Sequence, residues 1–370
     1  MQFADAKSVD ALSLERRDIA ICPETTLPAP IEAFTGQDFD NFDRGLLPYH
    51  ARREAAKGFV NFSPLTLSLY MLQNAFLIVA PQLNGVILTE NHELVEEPSC
   101  FRERALTGPA MALPTFPRHA PFSHAFAGFD RSTSNHYHWL LYAISKSCVA
   151  RPFLPRATPI LLPDAEACIE PHRPVLPRGY HHETLRVSGL IPYVTPVSQG
   201  IYPVRQLYFM WHTPKMPELY LRVPQVHAEF DRFTTPRVAF LPKRFFISRA
   251  QSADQRISAQ DQTVIDHVLA AQEIATVSLD DMDISTQIAL FRGAELIIAP
   301  HGAGLANLAF ARSGTAVLEL NRQLDGQPHL RNCFYLLSAM RGLRYAMMDL
   351  TDAPLTIFQL QEALRRVSQR

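Results

Sequence analysis

Between residues 244 and 320 the chain alternates short apolar runs with stretches of helical periodicity, and this alternation restricts the fold more than any other feature. The runs "RFFISR" (244–249), "ATVSLDD" (275–281), "ELIIAP" (295–300) and "AVLEL" (316–320) read as strands. Between them, "SAQDQTVIDHVLAAQ" (258–272) reads as an amphipathic helix and "ISTQIALFRGA" (284–294) as a helix ending at Gly293. Strands that alternate with helices build βαβ units, and βαβ units form a parallel sheet.

Inside this alternation, "APHGAGLAN" (299–307) joins a strand to the short helix "LANLAFA" (305–311). A helix N-terminus offers unpaired N–H groups and a partial positive charge, which suits a phosphate. Gly302 and Gly304 let the backbone turn and approach a ligand with no Cβ in the way. His301 stands at the C-terminal end of a strand, where open α/β sheets bind their ligands. Ala303 completes the turn, and Asn307, one helical turn inside, is placed to hold a phosphate or to brace the loop. Glu319 ends the next strand, where its carboxylate would suit two ribose hydroxyls. A dinucleotide fingerprint is the rival, since "GAGLAN" keeps two of the three glycines of G-x-G-x-x-G and Glu319 follows Gly302 by 17 residues. Asn307 at the third glycine, and a position too late for a second nicotinamide-binding half, count against it.

The rest of the chain is less periodic. Residues 1–60 are weakly patterned and loop-rich, and 70–97 suggest short strands with a hairpin at Asn84-Gly85. Residues 109–128 form a proline-rich aromatic connector. "SNHYHWLLYAISKSC" (134–148) reads as a helix capped by Ser134 or Asn135. "TPILLP", "TLRVSGLIPYV" and "RQLYFMW", between residues 157 and 211, read as strands, and 214–236 has the character of a domain boundary.

At 370 residues the chain exceeds one ordinary core, so two domains are expected. A net charge of −1 supplies no field for nucleic acid or an anionic membrane. The cysteines Cys22, Cys100, Cys148, Cys168 and Cys333 are scattered with no CxxC pair, which argues for a reducing, cytoplasmic setting. The N-terminus has no signal-peptide core, and the apolar stretch 67–80 is broken by Ser68, Gln73 and Asn74, so no span is expected. Peripheral membrane association and homodimer formation stay open.

The segment "SLDDMDISTQIALFRGAELIIAPHGAGLANLAFARSGTAVLEL" (278–320) resembles the signature region of glycosyltransferase family 61, the capsular-polysaccharide type. "FISRAQSADQR" (246–256), "NHYHWLLYAISK" (135–146) and "CFYLLSAMRGLRYAMM" (333–348) are similar to further blocks of that family. The resemblance implies an α/β protein of GT-B type: two Rossmann-like domains facing each other across a cleft, with a β-rich N-terminal segment. The expected division is 1–115 for that segment, 116–230 for an acceptor domain and 231–370 for a nucleotide-sugar donor domain. It also implies an inverting transfer from a nucleotide-diphosphate sugar, a UDP-sugar first, to a carbohydrate acceptor, with no cofactor and no metal. "DDMD" (280–283) accordingly reads as a strand end and helix cap rather than a metal-binding D-x-D.

Site roles follow in the same terms. Ser248, Arg249 and Arg256 belong to a window, 231–256, with six basic residues against two acidic ones. Guanidinium groups can grip a diphosphate bidentately and neutralise the charge of the leaving group. With His301, Gly302, Ala303, Gly304, Asn307 and Glu319 they make the donor set. On the acceptor side Asn135, His138 and Tyr142 are spaced i, i+3 and i+7, on one helix face. The family usually carries Asp where this chain has Tyr142, and a phenol with pKa about 10 is a poor base at neutral pH. His138 is therefore the leading base, with a purely orienting role as its alternative. The missing carboxylate keeps a second function open: a non-catalytic nucleotide-sugar-binding or assembly protein. The pairs His136/His138 and His181/His182 lack a third ligand at metal-site spacing.

Overall fold

The computed structural model describes residues 4–12, 14–32, 40–46, 51–54, 57–79, 85–96, 116–130, 133–164, 178–213, 217–235, 238, 240–249, 256–323, 330–351 and 353–369. Asn84 of the expected hairpin, residues 109–115 of the connector, Cys100, Cys168 and residues 250–255 lie outside them. The architecture is mixed α/β. Two compact units are present: Met1–Ile21, Leu65–Pro217 and Ala228–Phe233 form one, and Cys22–Pro64, Glu218–His227 and Thr234–Arg370 the other. Each unit is assembled from separate stretches of the chain.

The second unit carries a six-stranded, wholly parallel sheet. Its strands are Arg244–Ile247, Ala275–Val277, Leu296–Pro300, Ala316–Asn321 and Arg344–Asp349, with Ile31–Glu32 added at one edge. Counted from Arg244–Ile247, the first five stand in the order 2-1-3-4-5, that of a doubly wound sheet. Every residue of Leu296–Pro300 and Ala316–Asn321 is buried, as parallel strands covered on both faces must be. Phe246, Ile298 and Leu318 pack with Ile265, Val268, Leu360 and Leu364 from the flanking helices. Ser258 caps the helix Ala259–Ala271, and Asp283 of "DDMD" caps Ile284–Gly293.

The described residues between 22 and 64 hold short strands and a helix, where a weakly patterned, loop-rich segment was expected. Thr25–Pro28, Phe59–Phe62 and Ala51–Glu54 form an antiparallel sheet, and Asp40–Leu46 is a helix. Tyr335 donates from its hydroxyl to Pro28 O (2.9 Å), and Asn332 Nδ2 donates to Phe42 O (2.7 Å). These elements are only four to seven residues long, and Pro28 and Phe42 find partners about 300 residues on, which leaves little local periodicity to read.

The first unit is built on a nine-stranded mixed sheet. Residues 70–79 are not several short strands but part of one, Leu65–Val79, antiparallel to Gly200–Thr213 from Thr66↔Thr213 to Val79↔Gly200. Val86–Leu88 folds back onto Phe76–Ile78 with Gly85 at φ +78°, so the hairpin pairing is present. Phe122–Ala127, Ile160–Pro163 and Val194–Val197 run parallel, with helical chain over 136–150 and 178–187 between them. Of "TLRVSG" (184–189), Thr184 to Val187 lie in the second of those helices and the last two residues form a turn, so it is not a strand. His181, Thr184 and Val187 are buried at a spacing of three along one side of the helix, while the β-branched residues suggest a strand to a reader of composition. Among the described residues no helix is long and apolar enough to cross a membrane.

Candidate functional site

In a 2-1-3-4-5 sheet the crossovers leave strands 1 and 3 in opposite directions. The crevice beyond their C-terminal ends is where such sheets bind ligands. Strand 1, Arg244–Ile247, is followed there by Ser248 and Arg249, and strand 3, Leu296–Pro300, by the HGAG turn. Ser248 N–H donates to Val277 O (2.8 Å) and holds strand 1 to strand 2. The Arg249 side chain lies across Gly302: a Cβ on Gly302 would stand 1.8 Å from Nη1. Nη1 also reaches His301 O at 3.4 Å. Gly302 is extended (φ 167°), so its lack of a side chain serves the arginine's approach rather than a backbone twist. At Gly304 a Cβ would stand 2.9 Å from Leu279 Cδ1, so this glycine seats the turn on the core. Ala303 begins the short helix Ala303–Phe310 and is half-buried.

The neighbouring helix start, at Ala259, is already filled. Asp261 Oδ1 accepts from Leu355 N–H (2.7 Å), and Oδ2 from Ser258 Oγ (2.6 Å) and Arg322 Nη2 (3.2 Å). An anion is thus better received at the HGAG turn. Arg256 lies half-buried just before that helix. Asn307 braces the loop, the second of its expected roles: Nδ2 donates to Gln287 Oε1 (2.8 Å), and Gln287 Nε2 donates to Leu279 O (2.9 Å) and Met282 O (3.0 Å).

Glu319 is fully buried, and both carboxylate oxygens are engaged. Oε1 is bonded to His301 Nδ1, and Oε2 accepts from the Tyr345 hydroxyl. Burial, and then Glu319 itself, push the Tyr345 phenol well above its ordinary pKa, so it remains a donor. Glu319 has no exposed surface through which a ribose could reach it, so the geometry favours support of His301 over the ribose contact expected. The dinucleotide rival weakens for the same reason, and because the glycines follow strand 3 rather than strand 1.

In the first unit Asn135, not Ser134, caps the helix: its Oδ1 accepts from Tyr137 N–H (2.9 Å). His138 Nδ1 is bonded to Asp130 Oδ1 (2.7 Å), whose Oδ2 accepts from Lys146 Nζ (3.3 Å). Both side chains of the pair keep some exposure, 12% for His138 and 11% for Asp130. Residues 139–144 form a π-helical stretch, a feature often found at functional sites. Residues five apart stand about 140° apart on an α-helix, at about 100° per residue. Here Tyr137 and Tyr142 instead meet, with hydroxyls 3.0 Å apart. Tyr142 is buried beside His138, ring centroids 5.7 Å apart, while Asn135 stands at the helix cap. His136 abuts Tyr180 (4.8 Å), and His181 abuts Trp139 (4.4 Å) with Nε2 bonded to Thr133 O (3.1 Å).

The sequence profile of the Glycosyltransferase 61 family matches residues 110–318. The chain belongs to this family. It is also similar to the EGF domain-specific O-linked N-acetylglucosamine transferase of Drosophila melanogaster, 30% identical over 80 residues. That alignment covers 22% of this chain and 14% of the relative. Both point to a transferase of glycosyl groups.

For a glycosyltransferase the informative departure is Tyr142. The carboxylate that the resemblance led us to expect on this helix is absent, but Asp130 brings one to His138 from the loop after Phe122–Ala127. Sequence reasoning missed Asp130 and Tyr345. The signal for Asp130 was an acid just past the end of a parallel strand. For Tyr345 it was alternation: parallel pairing of Ala299 with Glu319 and Glu319 with Met347 puts 299, 301, 319, 345 and 347 on one face of the sheet.

Proposed function

We propose that this transferase moves a sugar from a nucleotide-diphosphate donor to a carbohydrate hydroxyl, with inversion at the anomeric carbon and without a bound metal. The two units act as donor and acceptor halves of a GT-B enzyme. The observation that carries the donor half is the Arg249 guanidinium held across Gly302 at the switch point of the doubly wound sheet. A cation fixed beside a helix N-terminus meets the needs of a departing diphosphate.

In the transfer, the acceptor oxygen bonds to the anomeric carbon while its proton passes to His138 Nε2. The bond from that carbon to the diphosphate oxygen breaks, and the diphosphate leaves with the electron pair towards Arg249, Arg256 and the HGAG turn. Asp130 fixes the His138 ring through Nδ1 and offsets the charge it gains. This pair supplies what Tyr142 lacks, and so favours an active transferase over the non-catalytic alternative. UDP is the first nucleotide to test, and the relative's name makes N-acetylglucosamine the first sugar. Cytoplasmic assembly of a surface polysaccharide is the role consistent with the family type.

Calorimetric titration of the purified protein with UDP, GDP, CMP and NAD, repeated on Arg249→Ala, tests the donor half. One nucleotide diphosphate should bind without added metal, and about 10- to 100-fold more weakly to the variant. Binding of NAD alone, or equal binding by both proteins, would contradict it.

A further inference from the structure

The donor turn contains a second histidine–carboxylate pair, built unlike the first. His301, Glu319 and Tyr345 end or line three adjacent strands, on the same face, and all three are buried. The Phe334 ring stands 5.0 Å from the His301 ring, and the Arg249 guanidinium rests on the His301 carbonyl. A carboxylate buried this completely is stable only when its oxygens are occupied by donors. Tyr345 O–H fills one, and His301 Nδ1 lies against the other, where an ionised carboxylate calls for the ring proton on that nitrogen.

We propose that Glu319 and Tyr345 are positioning residues that hold the His301 ring and its Nδ1 proton inward, so that Nε2 is the atom presented to the donor diphosphate. The proposal rests on the donor-site reading above. Its basis is the bond pattern: with Nδ1–H committed to Glu319, the other ring nitrogen alone is left for a ligand. As an imidazolium it donates to a phosphate oxygen, and as a neutral ring it accepts from a donor hydroxyl; Nδ1 keeps its proton in both forms. Tyr345 keeps Glu319 from turning away, because a carboxylate pinned at Oε2 has one orientation for Oε1.

The full-length protein, labelled with 15N in its imidazole rings, reports the tautomer directly by NMR. The His301 resonances, assigned with His301→Asn, should show Nδ1 protonated. A bare Nδ1 overturns the proposal, whether or not any nucleotide binds. Inorganic pyrophosphate then serves as a calorimetric probe in a double-mutant cycle. Glu319→Gln should weaken its binding about tenfold in the wild-type background and less than about twofold in His301→Asn, because the carboxylate acts through the ring. Tyr345→Phe should give a smaller loss, about threefold, abolished in the same background. Equal losses in both backgrounds would mean direct contact or general destabilisation and would overturn the proposal. Failure of the donor-site reading itself looks different: Arg249→Ala would leave pyrophosphate binding unchanged, or the wild type would bind none.

Discussion

The two units each carry a histidine bonded through Nδ1 to a carboxylate, and the surroundings of the pairs differ. In the first unit, His138 and Asp130 retain 12% and 11% of their side-chain exposure, and the second Asp130 oxygen is shared with Lys146. In the second unit His301 retains 5% and Glu319 none, with a phenol closing the last oxygen. The first arrangement suits a group that must take and return a proton in contact with substrate. The second suits a group whose orientation must not change. The same two side-chain types thus serve different ends because burial and the third partner differ.

The largest effect that sharpens this contrast is on stability. Glu319→Leu removes one partner of a buried pair and should cost about 3–5 kcal/mol, whereas Asp130→Leu, in a pair still touching solvent, should cost about half that or less. Chemical denaturation of both variants checks this, and equal costs would erase the distinction. Next comes Arg249→Ala, with about 1.5–3 kcal/mol of nucleoside-diphosphate affinity lost and little change in folding stability. Gly302→Ala should imitate it at about tenfold in affinity, since the added methyl would occupy the space of Nη1. A normal affinity for this variant in titration calorimetry would mean that the arginine's place across the turn is immaterial. Smallest is Asn307→Ala: loss of its bond to Gln287 should lower stability by about 1 kcal/mol, visible as a few degrees in Tm, with diphosphate affinity nearly unchanged. A large affinity loss there would turn Asn307 from brace into ligand contact.

What the sequence disclosed follows from how each element is stabilised. Leu296–Pro300 and Ala316–Asn321 are buried throughout, so their apolar runs are continuous, and the helices Ala259–Ala271 and Ile284–Gly293 carry caps at Ser258 and Asp283 that can be read locally. The N-terminal strands were illegible because "ERRDIAIC" exposes most of its residues and finds its partner in Leu65–Val79. "TLRVSG" misled through its β-branched residues, although its buried positions recur every three residues. In the site, Arg249, His301 and Gly302 were visible because they belong to one turn and its neighbouring strand. Asp130 and Tyr345 were not, because their roles depend on a loop returning to a helix start and on the pairing of separate strands. His138 and Tyr142 stand side by side and Asn135 caps the helix start, while the meeting of Tyr137 with Tyr142 comes from the π-helical stretch, which no spacing rule for an α-helix anticipates.

The most direct test of two halves serving one transfer is a steady-state comparison of His138→Ala with the wild type. The assay follows diphosphate release from whichever sugar nucleotide binds. The account predicts that kcat falls by about 10²–10⁴ while the KM for the donor changes little, because His138 handles the acceptor's proton and not the diphosphate. An unchanged kcat, or a loss confined to the donor KM, would contradict it.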